Sequence, residues 1–489
     1  MAAAASDVVL DEAIEVVEAG VTAGLVAEDG EIAGRYRFSH VLVRDAVYEE
    51  IGGLKQARLH GRVAEALSDR DDGSLRMVSE LAHHLFLAAP VIGPASGIGA
   101  AIRASIAARA ALSYEQAELY LHQALALAAI MSRGVERDRQ ELQLQLHLRL
   151  GFLISETRGH TWPEVAQAFD RARRLCVGAG VTADHLRTLW GQFAVAYMAG
   201  KLEDAALVGG QLLDLGRESD DPRCELAGLI AVGTAEFYLG RLAKARDHLA
   251  GATAIADSLA DPTLVDLYHQ DPRVFSRSVL VNAIWPLGDY DEAEAIVAGQ
   301  TRRIQLLDDP RSTLLALLSK GWLRFLQGDA ERLEEGAVVL RRLAADIGYQ
   351  PMVLAADMHR GWAMARQGAT QAGAALLRRT LAALDAARLV ALRPCLLGML
   401  AEAEMLDRRP EAALATVDAA LEEVNRRGDR FYLPELHRLK GEMLRASGLD
   451  GGDLARACVR QALAEAKAQG AVPFRERAEQ SLARVSAIA

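Results

Sequence analysis

The chain has little of what most catalytic and binding classes require. Four cysteines occur in 489 residues, Cys176, Cys224, Cys395 and Cys458, tens of residues apart. That spacing excludes a Cys-x-x-Cys zinc or redox motif and a disulfide scaffold, and it points to a reducing, cytoplasmic setting. Basic residues are outnumbered, with 55 Lys plus Arg against 66 Asp plus Glu and a formal net charge of −11. No basic run offsets this field, so nucleic acid is not an expected partner. No Gly-x-x-x-x-Gly-Lys-Ser/Thr loop occurs, so no backbone cradle plus lysine is available for the phosphates of ATP. The N-terminal Met-Ala-Ala-Ala-Ala-Ser-Asp lacks the basic region of a signal peptide. A long uncharged run is found only at Leu85 to Ile102, and it contains Pro90, Gly93, Pro94, Gly97 and Gly99. So many breakers would leave backbone groups unpaired in lipid, so the run reads as a soluble Pro/Gly loop and no membrane span is expected.

What is present is a helix-forming composition with a long period. Hydrophobic residues make up 51% of the chain while aromatics are 5%, and much of the remainder is alanine, the residue that enters a helix at least cost. Turn glycines recur at Gly200, Gly240, Gly288, Gly328, Gly368 and Gly448, with Arg408 in the equivalent place, at intervals of 40, 48, 40, 40, 40 and 40. Small-x-x-x-Ala patterns follow, as in Gly200-Lys201-Leu202-Glu203-Asp204-Ala205 and Gly240-Arg241-Leu242-Ala243-Lys244-Ala245. This turn resembles that between the two helices of a tetratricopeptide repeat. Asp221-Pro222, Asp261-Pro262, Asp309-Pro310, Gln350-Pro351, Arg393-Pro394 and Leu433-Pro434 fall where each next first helix should start, in phase with the glycines. The expected fold is all-α: a tetratricopeptide-like superhelical solenoid of about nine helical pairs over residues 104–489, with a small N-terminal winged-helix remnant.

Residues 1–70 read differently. Asp11 to Ala23 has helical spacing, Gly24 to Glu28 and Arg35 to Phe38 read as short strands around Asp29-Gly30, and Ser39 is the expected N-cap of a helix beginning at His40. Helix, hairpin, helix is the order of the second half of a winged helix. Residues 71–103 are expected to hold a linker helix and the Pro/Gly loop.

Tyr36-Arg37-Phe38-Ser39-His40-Val41-Leu42-Val43-Arg44-Asp45-Ala46-Val47-Tyr48, followed by Arg58-Leu59-His60-Gly61-Arg62-Val63-Ala64, resembles the junction after the NTPase in bacterial STAND-type signalling ATPases, which include large ATP-binding LuxR-type regulators. Gln270-Asp271-Pro272-Arg273-Val274, Trp285-Pro286-Leu287-Gly288-Asp289-Tyr290 and Pro434-Glu435-Leu436-His437-Arg438-Leu439-Lys440-Gly441-Glu442 are similar to the branch fused to class III adenylate/guanylate cyclases. The resemblance runs in order along essentially the whole chain. It implies a regulatory region, because the family's ATPase and cyclase modules lie before this part. It also implies that His40 resembles a winged-helix histidine that senses the β-phosphate of bound ADP, a role open to it only with an ATPase partner.

Among residues read directly, the repeat interval of 48 adds eight residues and contains Tyr268, Gln270, Asp271 and Arg273. Insertions in a solenoid fall on loops, often on the binding face, and these residue types grip polar ligands or peptides. With Trp285 they form the expected groove site, where charge reversal at Arg273 should abolish binding and leave helicity unchanged. Trp285, Trp322 and Trp362 lie just before turn glycines, a phase that also fits packing between helices. Glu80 and His83 have metal-ligand spacing on one helix, yet no second pair faces them, so no metal is expected. Acidic neighbours such as Glu49-Glu50 and Glu334-Glu335 point apart on a helix and read as solvated faces.

The expected function is therefore non-catalytic and cofactor-free: binding of a protein segment or small effector in the solenoid groove, coupled to a signalling ATPase or nucleotide cyclase. The alternative is a truncated piece of such an ATPase or cyclase, for which an uncovered apolar face at Ile14, Val17 and Val21 would argue. A transcriptional regulator is the weaker alternative, since no DNA-reading helix-turn-helix is evident.

Overall fold

Three helices of the second unit begin where aspartate precedes proline. Asp221, Asp271 and Asp309 accept bonds from Arg223 N at 2.9 Å, Arg273 N at 2.8 Å and Ser312 N at 3.1 Å, and the following prolines occupy the first helical turn. Five helices that come first in their pair end in a left-handed glycine, with φ of 67°, 75°, 100°, 77° and 99° at Gly200, Gly240, Gly288, Gly328 and Gly368. After each one the chain returns an N–H five residues back: Lys201 to Ala196 at 2.9 Å, Arg241 to Glu236 at 2.9 Å, Asp289 to Ile284 at 3.2 Å, Asp329 to Arg324 at 3.0 Å and Ala369 to Met364 at 2.9 Å. Arg408 keeps the pattern without being glycine: its φ is 57°, and Arg409 N reaches Glu404 O at 3.0 Å.

The structure is a computed structural model that describes residues 8–28, 34–131, 136–176, 183–259, 261, 263–307, 309–447 and 452–486. Residues 1–7, the Asp29-Gly30 turn, Pro262 and Gly448 lie outside the described residues. The chain divides into two compact units, residues 1–153 and 154–489. In order, the elements are α1 (Leu10–Thr22), β1 (Val26–Glu28), β2 (Tyr36–Phe38), α2 (Val41–Glu49), α3 (Gly53–Ser68), α4 (Leu75–Ile92), α5 (Ala95–Ala110), α6 (Tyr114–Ala129) and α7 (Glu136–Thr157). Then come α8 (Pro163–Cys176), α9 (Ala183–Met198), α10 (Leu202–Ser219), α11 (Pro222–Tyr238), α12 (Leu242–Ser258), the short α13 (Leu264–Tyr268), α14 (Pro272–Leu287), α15 (Tyr290–Ile304) and α16 (Pro310–Gln327). The remainder is α17 (Ala330–Asp346), α18 (Gln350–Arg366), α19 (Thr370–Ala386), α20 (Arg393–Leu406), α21 (Pro410–Arg427), α22 (Leu433–Ser447), α23 (Asp453–Gln469) and α24 (Val472–Ser486). The fold is all-α and built from helical hairpins. Among the described residues, no helix is long and apolar enough to cross a membrane.

In the first unit, β1 and β2 pair antiparallel with Val26 opposite Phe38 and Glu28 opposite Tyr36. Ser39 does not cap α2: its Oγ donates to Gly24 O at 2.6 Å, closing the base of the hairpin, and His40 is the cap, its Nδ1 accepting from Leu42 N at 3.2 Å. Helices α3 and α4 pack around Ala64, Leu67 and Leu81. The stretch expected as a Pro/Gly loop is mostly helix: Pro90 lies in the last turn of α4, and only Gly93 and Pro94 separate α4 from α5. Gly97 is there for closeness rather than flexibility, because a Cβ on it would lie 2.7 Å from Leu127 Cδ1 and 3.1 Å from the Leu85 carbonyl.

The second unit stacks the hairpins α9/α10, α11/α12, α14/α15, α16/α17, α18/α19, α20/α21 and α22/α23, and closes with α24. A large core runs from Leu202 to Phe474, with smaller clusters around Leu340 and Val459. The superhelix returns on itself. Arg430 N and Phe431 N both donate to Tyr238 O, at 2.8 and 3.1 Å, and Thr161 Oγ1 donates to Ala387 O at 3.0 Å. Arg477 reaches the Leu326 carbonyl, 151 residues away in sequence.

Candidate functional site

The eight residues added to one repeat form the segment between α12 and α14, and its polar groups are bonded within the fold. Tyr268, at the end of α13, is 1% exposed; its hydroxyl donates to the Arg223 carbonyl, and its own carbonyl accepts from Trp190 Nε1 at 3.0 Å. Asp271 is 0% exposed: it caps α14, takes the Arg303 guanidinium with Nε at 2.8 Å, and donates its N–H to Ser312 Oγ at 2.7 Å. Arg273 keeps 17% of its side chain exposed and donates to the Leu259 carbonyl, which ties the start of the segment to its end. Gln270 is half-buried and makes no hydrogen bond among the described residues. Left-handed His269 precedes it; the His269 carbonyl accepts from Arg311 Nη1 at 3.3 Å, and Arg311 also pairs with Glu156. The result is a cross-braced clip in which Asp271 is the hub and Gln270 has the unused hydrogen-bonding groups.

Trp285 lies apart from that clip. It is 6% exposed, packs its ring against Tyr290 with centroids 5.4 Å apart, and carries the Arg477 guanidinium at 5.9 Å. Trp322 stacks edge-on to His359 at 4.8 Å, and Trp362 donates Nε1–H to Glu402 at 2.7 Å. Trp322 and Trp362 pack successive hairpins against one another, while Trp285 packs within its own hairpin and against α24. The inner face between them is filled, since Phe237 meets Phe431 at 4.4 Å, Phe325 meets Trp362 at 4.9 Å, and Phe474 lies 6.0 Å from Phe431. No sequence signal announced this seam.

The seam also encloses a carboxyl group. Asp429 lies buried in the α21–α22 connection, next to the two N–H groups that reach Tyr238, and burial raises its pKa to about 7. The hydroxyls of Tyr197 and Tyr238, 2.8 Å apart, line the same narrow space with Leu392 and Arg427.

In the first unit, His40 is exposed and uses only Nδ1, so Nε2 carries the proton and has no partner among the described residues. Glu80 and His83 lie on α4, where Glu80 takes Arg76 at 3.1 Å. His84 joins His60 of α3, Nδ1 to Nδ1, at 2.7 Å, and the Tyr48 hydroxyl lies 2.8 Å from His60 Nε2. Burial, then the charges of His60 and His83, lower the pKa of His84 to about 4. Among the described residues no group of three or more His, Cys, Asp or Glu is placed to hold a metal ion. The four cysteines are free thiols, and burial raises the pKa of Cys176, Cys224 and Cys395.

No family model matches the chain. It is 24% identical over 458 residues to an uncharacterized protein of Rhizobium meliloti (strain 1021), an alignment that takes in 91% of this chain and 43% of that one. The chain thus spans less than half the length of the curated relative it matches. Among solved structures, it is similar to Rap protein complexed with competence and sporulation factor, at 10% identity and a TM-score of 0.44 over 71% of this chain and 98% of that one. It is also similar to Cut9 in the APC/C hetero-tetramer Cut9–Hcn1, at 12% identity and a TM-score of 0.41, with 91% and 92% covered. A third likeness is to yeast Tom70, at 11% identity and a TM-score of 0.33, with 90% and 91% covered.

Proposed function

We propose that this chain is a non-catalytic interaction module, which engages a protein segment or small effector through its repeats and passes the event to a nucleotide-driven partner, an ATPase or cyclase domain. The observation that carries the reading is the uncovered apolar surface at the N-terminal end. Neither α1 nor α2 buries a single residue, and Leu10, Ile14, Phe38, Val41, Leu42 and Val47 all stay exposed. Exposed large apolar side chains on both helices and one strand of a small substructure mark a docking face. Residues 1–70 act in this reading as a partial winged helix, and His40 offers its Nε2–H to a nucleotide phosphate held by the partner. In the inserted segment, Gln270 touches the effector, while Tyr268, Asp271, Arg273 and Trp285 hold the clip and its surroundings in place.

Calorimetry with ATP and ADP on the purified chain, run beside hydrolysis and cyclisation assays, tests this reading. Absence of turnover is expected. Turnover of either kind would overturn the non-catalytic assignment.

A second reading shares the same observation: the chain is a piece of a longer ATPase or cyclase whose own upstream domain covers the apolar face. The coding DNA upstream decides between them. An in-frame nucleotide-binding domain favours the second reading, and its absence favours a partner in trans.

A further inference from the structure

Many positive charges of the second unit are paired, and of those that are not, two face one groove. Between α17 and α19, with α18 as its floor, lies a groove of ≈430 Å³ lined by Arg341, Asp357, Arg360 and Arg379 over Leu354 and Thr380. Arg341 Nε donates to Asp357 Oδ1 at 2.8 Å, which neutralises the single carboxylate in the lining. Arg360 and Arg379 have no ion-pair or hydrogen-bond partner among the described residues. Arg360 is half-buried, and its Nε is enclosed without an acceptor. A guanidinium donor removed from water and left unbonded is a standing cost, which an incoming acceptor removes.

We infer that this groove is a docking site for a carboxylate-rich protein segment, with Arg360 and Arg379 as its two anion-holding side chains. The inference rests on the interaction-module reading and adds to it the surface and the chemistry of the partner. Two guanidinium groups on neighbouring helices match carboxylates spaced along an extended or helical segment. The buried Leu354 side chain supplies an apolar floor for a residue between the acids. Charge complementarity selects the partner: the chain carries −11 overall, so an acidic segment is repelled by much of the surface and favoured where two uncompensated positive charges face one groove. The same overall charge disfavours a nucleic acid backbone, which extends well beyond one groove.

Binding is measured by fluorescence anisotropy on the full chain, with a fluorescein-labelled peptide of alternating Glu-Glu-Leu triplets. A peptide with glutamine in place of glutamate and a single-stranded oligonucleotide serve as comparisons. The glutamate peptide should bind, weaken as salt rises, and lose about tenfold in affinity in each of Arg360→Gln and Arg379→Gln. Arg302→Gln on α15 should change nothing, and Arg360→Lys should recover part of the loss. Thermal unfolding of each variant shows that the fold is retained. No saturable binding, equal binding of the glutamine peptide, tighter binding of the oligonucleotide, or indifference to both arginine variants would overturn the site. Nucleotide turnover would instead remove the non-catalytic reading, and the peptide result stands apart from it.

Discussion

At the scale of single residues, two positions carry a cost that a substitution should relieve. Arg408 holds the left-handed conformation that glycine supplies at the equivalent turns. A non-glycine residue there costs roughly 1–2 kcal/mol, and the extra freedom of glycine in the unfolded chain takes back part of the gain. Arg408→Gly should therefore stabilise the chain by up to about 1 kcal/mol, read as a rise in the urea midpoint at constant slope. His359 is 1% exposed, neither ring nitrogen has a partner, and burial lowers its pKa to about 3. Because the folded value lies below the unfolded one, the folded state binds fewer protons below about pH 6.5, and stability is lost as pH falls from there toward about 3. In His359→Leu this part of the acid dependence should vanish, and stability at pH 7 should rise by about 1–3 kcal/mol. A parallel loss of stability on acidification in variant and parent would refute the assignment.

At the scale of elements, the seam between α11 and the α21–α22 connection has the opposite pH sense. Asp429 is a carboxyl with its pKa raised by burial to about 7, against about 3.9 when unfolded. The folded state therefore holds a proton that the unfolded state releases, so the seam weakens as pH rises from about 4 to about 7 and changes little above that. Hydrogen exchange at the Arg430 and Phe431 amides, corrected for intrinsic rates, should show protection falling over this range. Asp429→Asn should keep protection constant across it. The elements themselves follow from local chemistry, as the Asp-Pro starts and left-handed ends of the hairpins show. Two local readings failed for reasons of neighbourhood. Ser39 has the right side chain for a cap, but the hairpin base takes its hydroxyl, and His40 caps instead. Gly97 looks like a breaker in isolation, yet it lies inside α5 because Leu127 and the Leu85 carbonyl come too close for any side chain.

At the scale of the whole second unit, closure of the superhelix is the dominant tertiary feature. Phe431 lies at its centre, fully enclosed between Phe237, Tyr432 and Phe474. Phe431→Ala should cost about 3–5 kcal/mol and, where the fold survives, loosen the seam. Small-angle scattering should then report a larger radius of gyration, and an unchanged radius would mean that the backbone bonds to Tyr238 suffice.

The chain's own sequence settled the repeat, its phase and its helical hairpins, because each depends on bonds that span at most five residues: a cap at the start, a left-handed residue at the end, and alanines at helical spacing between. It also marked the insertion at 268–273 as unusual by length alone. Only the tertiary structure decided what those residues do there, since Asp271 meets Arg303 and Ser312 through the stacking of separate hairpins. The filled inner face belongs to the same category, for Phe237 and Phe431 are brought together by the accumulated rotation of the intervening repeats. Likewise, arginines recur on most helices of this chain, and what sets Arg360 and Arg379 apart is that they line one groove whose single carboxylate, Asp357, is taken by Arg341. Pairing is a property of neighbours in space, and local patterns along a chain do not encode it.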